Sequence, residues 1–406
     1  MHLKRIYIKI VFCLIGLACL ECTEPFTAVT ETFEDVLVVE ATITDELKTQ
    51  EIRLSRTYRL EESGGLNFES GANIVLNGSD GSIHNFEHTE SGIYHSVNPF
   101  QAVQNVVYNL SITDSSGKKY ITSEESLPPS VDIDNVYTEL ITREGTTGVQ
   151  VFVDSEETPE DANYFRYEYE EAYKIVALYY NSNDVVLENW KEEGTSMFCF
   201  EDLEFVPRPE EQKTCYVERN SKDIIVTSIN GLSESKISQF PVRFISAQDY
   251  VLRDRYSILV KQFVQSANAN NFYKILKELG DDGSLFIENQ PGFVRGNIFS
   301  EENENEKVIG FFDVSSMSSK RIFFDYQEFD INRPKYLYDC EVDALNYAAT
   351  GPPISVDDER NILFRRLSSG NYKFHGQDEC TVFVVPLQCG DCSSFASSNK
   401  PSYWED

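Results

Sequence analysis

Two cysteines near the N-terminus are the residues best suited to covalent chemistry in this sequence. Cys19 lies at the end of an apolar segment, residues 10–20, that follows several basic residues, and Cys22 comes directly after it. The segment is shorter than the roughly 20 residues that a membrane-spanning helix needs. A lipoprotein signal peptidase requires a small residue before the cysteine that receives the lipid, and Ala18 satisfies this requirement for Cys19, whereas a glutamate precedes Cys22. We therefore predict a lipoprotein signal peptide over residues 1–18, with Cys19 as the lipid anchor and Cys22 as the alternative.

The remaining cysteines predict disulfide bonds, because an exported chain enters an oxidising compartment. If Cys19 is the anchor, seven other cysteines remain outside the signal peptide, and this odd number leaves one thiol free. If Cys22 is the anchor and Cys19 is removed with the signal peptide, six cysteines remain. Six cysteines allow 15 pairings, and the sequence fixes none of them; Cys199 with Cys215 is the local pairing that we consider first. The disulfide candidates are Cys199, Cys215, Cys340, Cys380, Cys389 and Cys392.

Cys389 and Cys392 form a Cys-x-x-Cys motif, which also occurs in zinc sites and in redox enzymes. With Cys340 and Cys380 it could supply four thiolates to a zinc ion. Thiolate zinc sites belong mostly to reducing compartments, and no second Cys-x-x-Cys motif occurs after residue 34. Disulfide bonds are therefore the preferred interpretation.

Motifs for other catalytic chemistry are missing from the sequence. It contains neither Gly-x-Ser-x-Gly, the nucleophile turn of many serine hydrolases, nor His-Glu-x-x-His, which places two zinc ligands on one helical face. His84 and His88 share one face of an extended strand, and exposed strand positions explain them better than a metal site does. Two carboxylates about 5–10 Å apart across a cleft could hydrolyse glycosides, so a carboxylate-based hydrolase is kept as an alternative. We predict no catalytic residues, no metal and no cofactor.

The net charge restricts the partners of the chain. Its 406 residues carry a formal charge of −32 at neutral pH. So acidic a protein is repelled by nucleic acid and by anionic lipid headgroups. We expect no nucleic-acid binding, and contact with a membrane only through an N-terminal lipid.

The elements that position these residues are predicted to be mainly β-strands. Residues 19–34 are polar and indicate a lipid anchor and spacer, whereas residues 35–127 contain several short alternating runs separated by Asn-Gly, Asp-Gly and similar turns. This spacing is typical of an immunoglobulin-like or transthyretin-like β-sandwich. Leu127-Pro128-Pro129-Ser130 ends the pattern, because proline cannot donate to a β-ladder.

Residues 131–388 are predicted to form a larger β-rich domain with one clear α-helix near 266–279. Within this domain, "YFRYEYEE" (164–171) places Phe165 on one face of a half-buried strand and Arg166 on the opposite, polar face. The helix is indicated by apolar residues at i, i+3, i+4 and i+7 from Phe272. Residues 389–406 form a cysteine-containing C-terminal tail.

The order of several segments resembles the domain-of-unknown-function family 4249 of Bacteroidota. The similar segments are "CTEPF", "FEDVLVVEATIT", "QEIRLSRTY", "YFRYEYEE", "RYSILVKQ", "FYKILKEL", "GSLFIENQPGFVRGNI", "KVIGFFDVSS", and a closing "CGDC" and "NKPSYW". The sequence departs from the family at Tyr167, where tryptophan is expected, and in a serine-rich tail after Cys392. The family's characteristic start aligns with Cys22, which favours the alternative anchor.

The resemblance implies an outer-membrane lipoprotein that is often encoded beside a TonB-dependent receptor. We expect a non-enzymatic protein that faces the cell surface and acts as the partner of such a barrel in ligand capture or nutrient uptake. The family has no established catalytic residues, so none are transferred. Two alternatives to this role remain: an accessory of outer-membrane protein assembly and the carboxylate-based hydrolase described above.

Overall fold

A computed structural model of the chain describes residues 35–57, 67–156, 158–187, 203–231, 235–281, 294–346 and 358–406. The fold is mainly β, as the sequence predicts. The strands up to residue 126 are β1 Leu37–Thr44, β2 Glu51–Arg56, β3 Asn67–Phe68, β4 Asn73–Gly78, β5 Ile83–Glu90, β6 Ile93–Ser96, β7 Val107–Thr113, β8 Lys119–Thr122 and β9 Glu125–Ser126.

The later strands alternate with three α-helices in the described residues. The strands are β10 Asn135–Arg143, β11 Thr146–Ser155, β12 Tyr164–Val176, β13 Asn183–Leu187, β14 Leu203–Pro207, β15 Thr214–Asn220, β16 Ile225–Ser228, β17 Ile237–Ser246, β18 Arg255–Val264, β19 Ile298–Ser300, β20 Val308–Asp325, β21 Asp343–Asn346, β22 Tyr372–Asp378 and β23 Thr381–Pro386. The helices are α1 Ala267–Asp281, α2 Glu359–Ser368 and the short α3 Leu387–Gly390. None of the described helices has the length and apolar character needed to cross a membrane.

Strand β20 connects the two largest parts of the fold. Its first half, Val308 to Ser315, pairs in parallel with β1, and its second half, from Ser316, pairs antiparallel with β18. The main sheet therefore runs without a break in the order β15, β12, β18, β20, β1, β2, β6, β5, β4, β7, β8, β19. The single strand β20 is therefore hydrogen-bonded to one strand from each of the two large cores.

The N-terminal strands enclose one hydrophobic core. The alternation in β1 buries Leu37, Val39, Ala41 and Ile43, as the pattern of a half-buried strand requires. The core also contains Ile298, Val308, Phe312 and Val314, which come from β19 and β20. The domain boundary predicted at residue 127 did not include these later residues, which complete the core.

A second core lies between the central strands and a separate small sheet. Strands β10, β11 and β17 form that three-stranded sheet, and buried valines of β11 pack with the aromatic residues of β12 and with β18. Tyr167 stacks on Phe240 with the ring centroids 4.8 Å apart, and its hydroxyl donates to Gln262 at 2.9 Å. The tyrosine that replaces the expected tryptophan is thus fully packed and hydrogen-bonded.

The predicted helix is present as α1, but its apolar stripe is only partly covered. Ser266 caps it by accepting a hydrogen bond from the backbone N–H of Ala269, and Phe272 packs on Phe311. Leu279, which the spacing places on the same face, is 38% exposed. The N-terminal half of α1 is therefore the part that is fixed to the sheet.

A third, smaller core was not distinguished from the sequence. It contains Leu363 of α2 together with buried residues of β13, β14 and the three-stranded sheet β21, β23, β22. Helix α2 was missed because its sequence, "ERNILFRRLS", has few apolar positions, although Asp358 caps it by accepting from the backbone N–H of Arg360 at 3.0 Å.

The disulfide bonds fasten the C-terminal tail to distant parts of the chain. Cys215 pairs with Cys392, and Cys340 pairs with Cys389. The local pairing of Cys215 with Cys199 is therefore wrong: β15 and the tail are brought together by a backbone bridge between Tyr216 and Ser397, so the partner of Cys215 is distant in sequence. Cys380 is also disulfide-bonded.

Two glycines allow β20 to lie against its neighbours. Gly310 has a φ of +127°, and a Cβ atom there would lie 1.9 Å from the carbonyl oxygen of Val39 in β1. A Cβ atom on Gly296 would lie 1.6 Å from the carbonyl oxygen of Gly310. Backbone oxygen atoms occupy the places where side chains would be, so only glycine fits at either position.

We expect Gly310→Ala to lower the free energy of unfolding by about 3 kcal/mol, because the methyl group adds a backbone clash to an unfavourable φ. Gly117→Ala is the matched control, since Gly117 also has a positive φ but has nothing within 4 Å of the position that a Cβ atom would take. Gly117→Ala should lower the free energy of unfolding by only about 1–2 kcal/mol. Urea denaturation measures both values, and equal losses would contradict the proposed clash.

We expect the double substitution Cys215→Ser, Cys392→Ser to lower the free energy of unfolding by about 3–5 kcal/mol. The reason is the sequence separation of 177 residues that this bond closes, against 49 for Cys340 and Cys389. The double substitution of the shorter pair should cost about 1 kcal/mol less. Non-reducing urea denaturation of both variants tests this, and a larger loss from the shorter loop would argue against the loop-entropy explanation.

Candidate functional site

A cleft of about 700 Å³ lies where the first and second cores meet. Strands β1, β2 and β20 of the first core line it on one side, and β12 lines it on the other. The first turns of α1 and the segment that joins β15 to β16 complete the walls. The lining residues are 38–42, Glu51, Arg53, 166–168, 220–225, Phe272, Tyr273, Leu276 and 309–311.

Arg166 is the charged residue of this cleft that is most withdrawn from solvent. The strand pattern placed it on a polar face, but α1 covers that face, and Arg166 is only 7% exposed. Its guanidinium carbon lies 4.4 Å from the ring centre of Phe263 and 4.8 Å from that of Tyr273. Aromatic faces attract a guanidinium group, so the two rings hold the cation in a defined orientation.

Acidic neighbours keep Arg166 charged. It forms an ion pair with Glu168, whose side chain is 45% exposed. Burial by itself would lower the pKa of Arg166, but the neighbouring Tyr273, Glu168 and Asp313 raise the pKa above its ordinary value. One guanidinium donor, Nε, is buried and has no hydrogen-bond partner.

A buried carboxyl group lies behind Arg166. Asp313 is fully buried on β20, and its Oδ2 accepts from Gln265 at 2.6 Å and from the hydroxyl of Ser315 at 2.7 Å. Burial raises the pKa of Asp313 above its ordinary value, although Arg166 opposes the shift. Oδ1 of Asp313 and Oε1 of Gln265 have no partner, so this polar cluster is incompletely hydrogen-bonded.

A second buried carboxyl group belongs to the same junction. Burial raises the pKa of Glu125 to about 6, and the charge of Asp313 acts in the same direction. Asn297 donates to Glu125 at 3.2 Å and to the carbonyl of Phe312 at 2.9 Å, and it accepts from the Phe312 N–H at 2.8 Å. The Asn297 side chain thus replaces one pair of ladder hydrogen bonds beside β20.

Neither buried carboxyl group can act on a molecule in the cleft. Asp313 is 0% and Glu125 is 6% exposed, and neither lines the cavity. Acid or base catalysis requires hydrogen-bond contact with the reacting group. The raised pKa values therefore reflect the cost of burying charge at the junction, and they do not define a catalytic pair.

Among the described residues, the cysteines and histidines singled out in the sequence do not line this cleft. Cys389 and Cys392 are fully buried and bonded to different partners, so the Cys-x-x-Cys motif does not close on itself. His84 stacks on Phe100 at 3.8 Å, and His88 lies against Tyr94. Within the described ranges, no three His, Cys, Asp or Glu side chains form a group that could hold a metal ion. Cys19, Cys22 and Cys199 lie outside the described residues.

Arg166 and Tyr273 were not predicted as site residues from the sequence. Tyr273 is adjacent to the apolar stripe of α1, and the strand alternation around Arg166 was interpreted as solvent exposure. A signal was present, because an arginine in a strand flanked by aromatic residues can be covered by a following helix. The sequence did not indicate that α1 would fold back over β12.

The fold and the cleft together define a mainly β protein with two large cores that share a strand. The family model described as a domain of unknown function (DUF4249) matches residues 23–321, and the chain belongs to this family. No curated protein sequence matches the chain. Among solved structures, a DUF4785 family protein from Legionella pneumophila shares 8% identity, with a TM-score of 0.15, over 55% of this chain and 51% of that chain. That similarity is too weak to support an argument.

We expect the Glu125→Gln variant to gain stability relative to the wild type as the pH rises. The pKa of Glu125 is higher in the folded state than in the unfolded chain. Its contribution to the free energy of unfolding is therefore fully present below about pH 4.5 and is lost as the pH rises through about 6. The difference in unfolding free energy, variant minus wild type, should therefore increase by about 1–2 kcal/mol between pH 4.5 and 7.5.

Urea denaturation across this pH range gives the difference directly. Glu124→Gln is the control, because it removes the same charge from an exposed neighbouring side chain and separates the effect of charge from that of burial. A constant difference for Glu125→Gln across the range would refute the expected titration.

Proposed function

We propose that this protein is a non-enzymatic lipoprotein, anchored in the outer membrane through Cys19 and facing the cell surface. The observation that carries the proposal is the N-terminal sequence, in which basic residues, a short apolar segment and Ala18 precede Cys19. Cys22 is the alternative anchor. The polar residues before β1 serve as a spacer between the lipid and the folded part.

The disulfide bonds support export. Cys215, Cys389 and Cys392 are fully buried, and the bonds they form join segments that are distant in sequence. Such bonds persist in oxidising compartments and are rare where thiols are kept reduced. The net charge of −32 supports tethering by a lipid over adsorption to an anionic membrane surface.

We further propose that the protein is the partner of a TonB-dependent barrel and that it helps to capture a ligand for uptake. Membership in the DUF4249 family supports this role through the resemblance described above. The cleft at the junction of the two cores supplies a concave surface of a size that small ligands occupy.

Substituting the anchor should release the protein from the membrane. We expect Cys19→Ala to move it from the membrane fraction to the soluble fraction, because one diacylated cysteine supplies most of the membrane affinity. Cys22→Ala should leave it in the membrane fraction. Fractionation and mass spectrometry of the mature N-terminus provide the measurement. A lipid on Cys22 would transfer the anchor there, and a mature chain without lipid would overturn the proposal.

Affinity isolation from native membranes tests the partnership. We expect a TonB-dependent barrel to co-purify with the wild type, and deletion of the protein to impair growth on one nutrient. Loss of many outer-membrane proteins after depletion would instead favour a role in their assembly. Purification without any barrel would contradict the partnership.

A further inference from the structure

The side chain of Arg166 lines the cleft. The aromatic rings of Phe263 and Tyr273 lie against it, and Asp313 adds negative charge from the buried side. A guanidinium group carries five N–H donors in one plane, and its edge matches the two oxygens of a carboxylate. The environment of Arg166 therefore favours a planar anion as its partner.

Glu168 occupies this edge in the structure. It is two residues from Arg166 on β12, and almost half of its side chain is exposed. Water already solvates the exposed carboxylate of Glu168, whereas the buried guanidinium group of Arg166 needs an anionic partner. Glu168 can therefore turn into solvent at little cost when another carboxylate takes its place.

The cleft beside Arg166 also has apolar walls. Phe272 and Leu276 of α1, with Ile309 and Phe311 of β20, form one side of it, and Ile225 at the start of β16 also lines it. Phe272 and Phe311 pack with their ring centroids 5.4 Å apart. Besides Glu168, the other charged residues of the lining are exposed, namely Glu40, Glu51, Arg53, Lys222 and Asp223. Arg166 is therefore the buried charge beside this apolar wall, a combination typical of sites for small amphipathic molecules.

We infer that this cleft binds a carboxylate attached to an apolar body, with the carboxylate on Arg166 in place of Glu168. The apolar body would lie against Phe272, Leu276 and Phe311. This inference rests on the proposed role in ligand capture and specifies its chemistry. Two sources supply the same chemistry, a small organic acid and the free C-terminus of a short hydrophobic peptide.

Two probes and their neutral analogues distinguish these sources. The organic acid is 3-phenylpropanoate, compared with 3-phenylpropanamide, and the peptide is Leu-Phe, compared with its C-terminal amide. Isothermal titration calorimetry with the lipidated full chain in phosphatidylcholine nanodiscs, against empty nanodiscs, measures the dissociation constants. We expect at least one of the acids to bind about tenfold or more tightly than its amide, since hydrogen bonds to charged groups are the stronger ones.

Variants of the two charged residues should act in opposite directions. Glu168→Gln removes the competing carboxylate and should tighten binding of the acid a few-fold. Arg166→Gln should weaken it about tenfold or more and abolish the preference for acid over amide. If the ion pair had a purely structural role, both variants would bind the acid more weakly than the wild type.

A third variant keeps the test valid if Arg166→Gln does not fold. Leu276→Trp adds volume to the apolar wall without changing any charge, and it should block the probes. Arg243→Gln is the matched control, because Arg243 also pairs with a glutamate, Glu171, and lies over a tyrosine, Tyr169, but does not line the cleft. It should leave the dissociation constants unchanged within about twofold.

The inference is overturned if neither acid binds at millimolar concentration, if the amides bind equally well, or if Glu168→Gln weakens binding. These outcomes are independent of the partnership with a barrel. Probe binding without a co-purifying barrel would contradict only the proposed partnership. A co-purifying barrel without probe binding would contradict only the inferred binding of a carboxylate in the cleft.

Discussion

The pairing of β20 with both β1 and β18 is the constraint on which the rest of the structure depends. Val308 to Ser315 completes the N-terminal core, and the following residues pair with β18 and contribute Phe324 to the second core. Because β1 and β20 are parallel and far apart in the sequence, their pairing closes a long loop before it contributes stability. The two cores are thus joined through a continuous β-ladder.

This shared strand accounts for the unusual features of the junction. At Gly310 the backbone of β1 approaches so closely that no side chain fits, and the Asn297 side chain makes the hydrogen bonds that a neighbouring strand would otherwise make. Where β20 changes partners, polar side chains take the place of regular pairing. Asp313 and Glu125 are buried there, although burial of a carboxyl group is costly.

The cleft is a consequence of the same arrangement. Strand β12 and helix α1 approach β1 and β20 from the second core, and the space between them is lined by both parts of the protein. Arg166 lies between this space and the buried Asp313, so the charge balance of the junction and the chemistry of the cleft depend on one guanidinium group.

The sequence by itself determined the local features of this protein. Alternating β-branched residues defined β1, and the spacing of apolar residues from Phe272 defined α1. Export and lipid anchoring, predicted from the context of Cys19, stay predictions, because Cys19 lies outside the described residues. These signals depend on residues that are neighbours in the chain, so periodicity and composition reveal them. The resemblance to the family, too, was carried by short segments in order, and the family model confirms it.

Only the tertiary structure decided which distant segments meet. Cys215 pairs with Cys392, and β1 with β20, because the folded backbone brings them together; neither pairing leaves a trace in local sequence. The burial of Arg166 was likewise undetermined, since strand alternation separates two faces but does not say that a helix will cover the polar one. The candidate site is made of contacts between such segments, and for that physical reason it could not be predicted from the sequence.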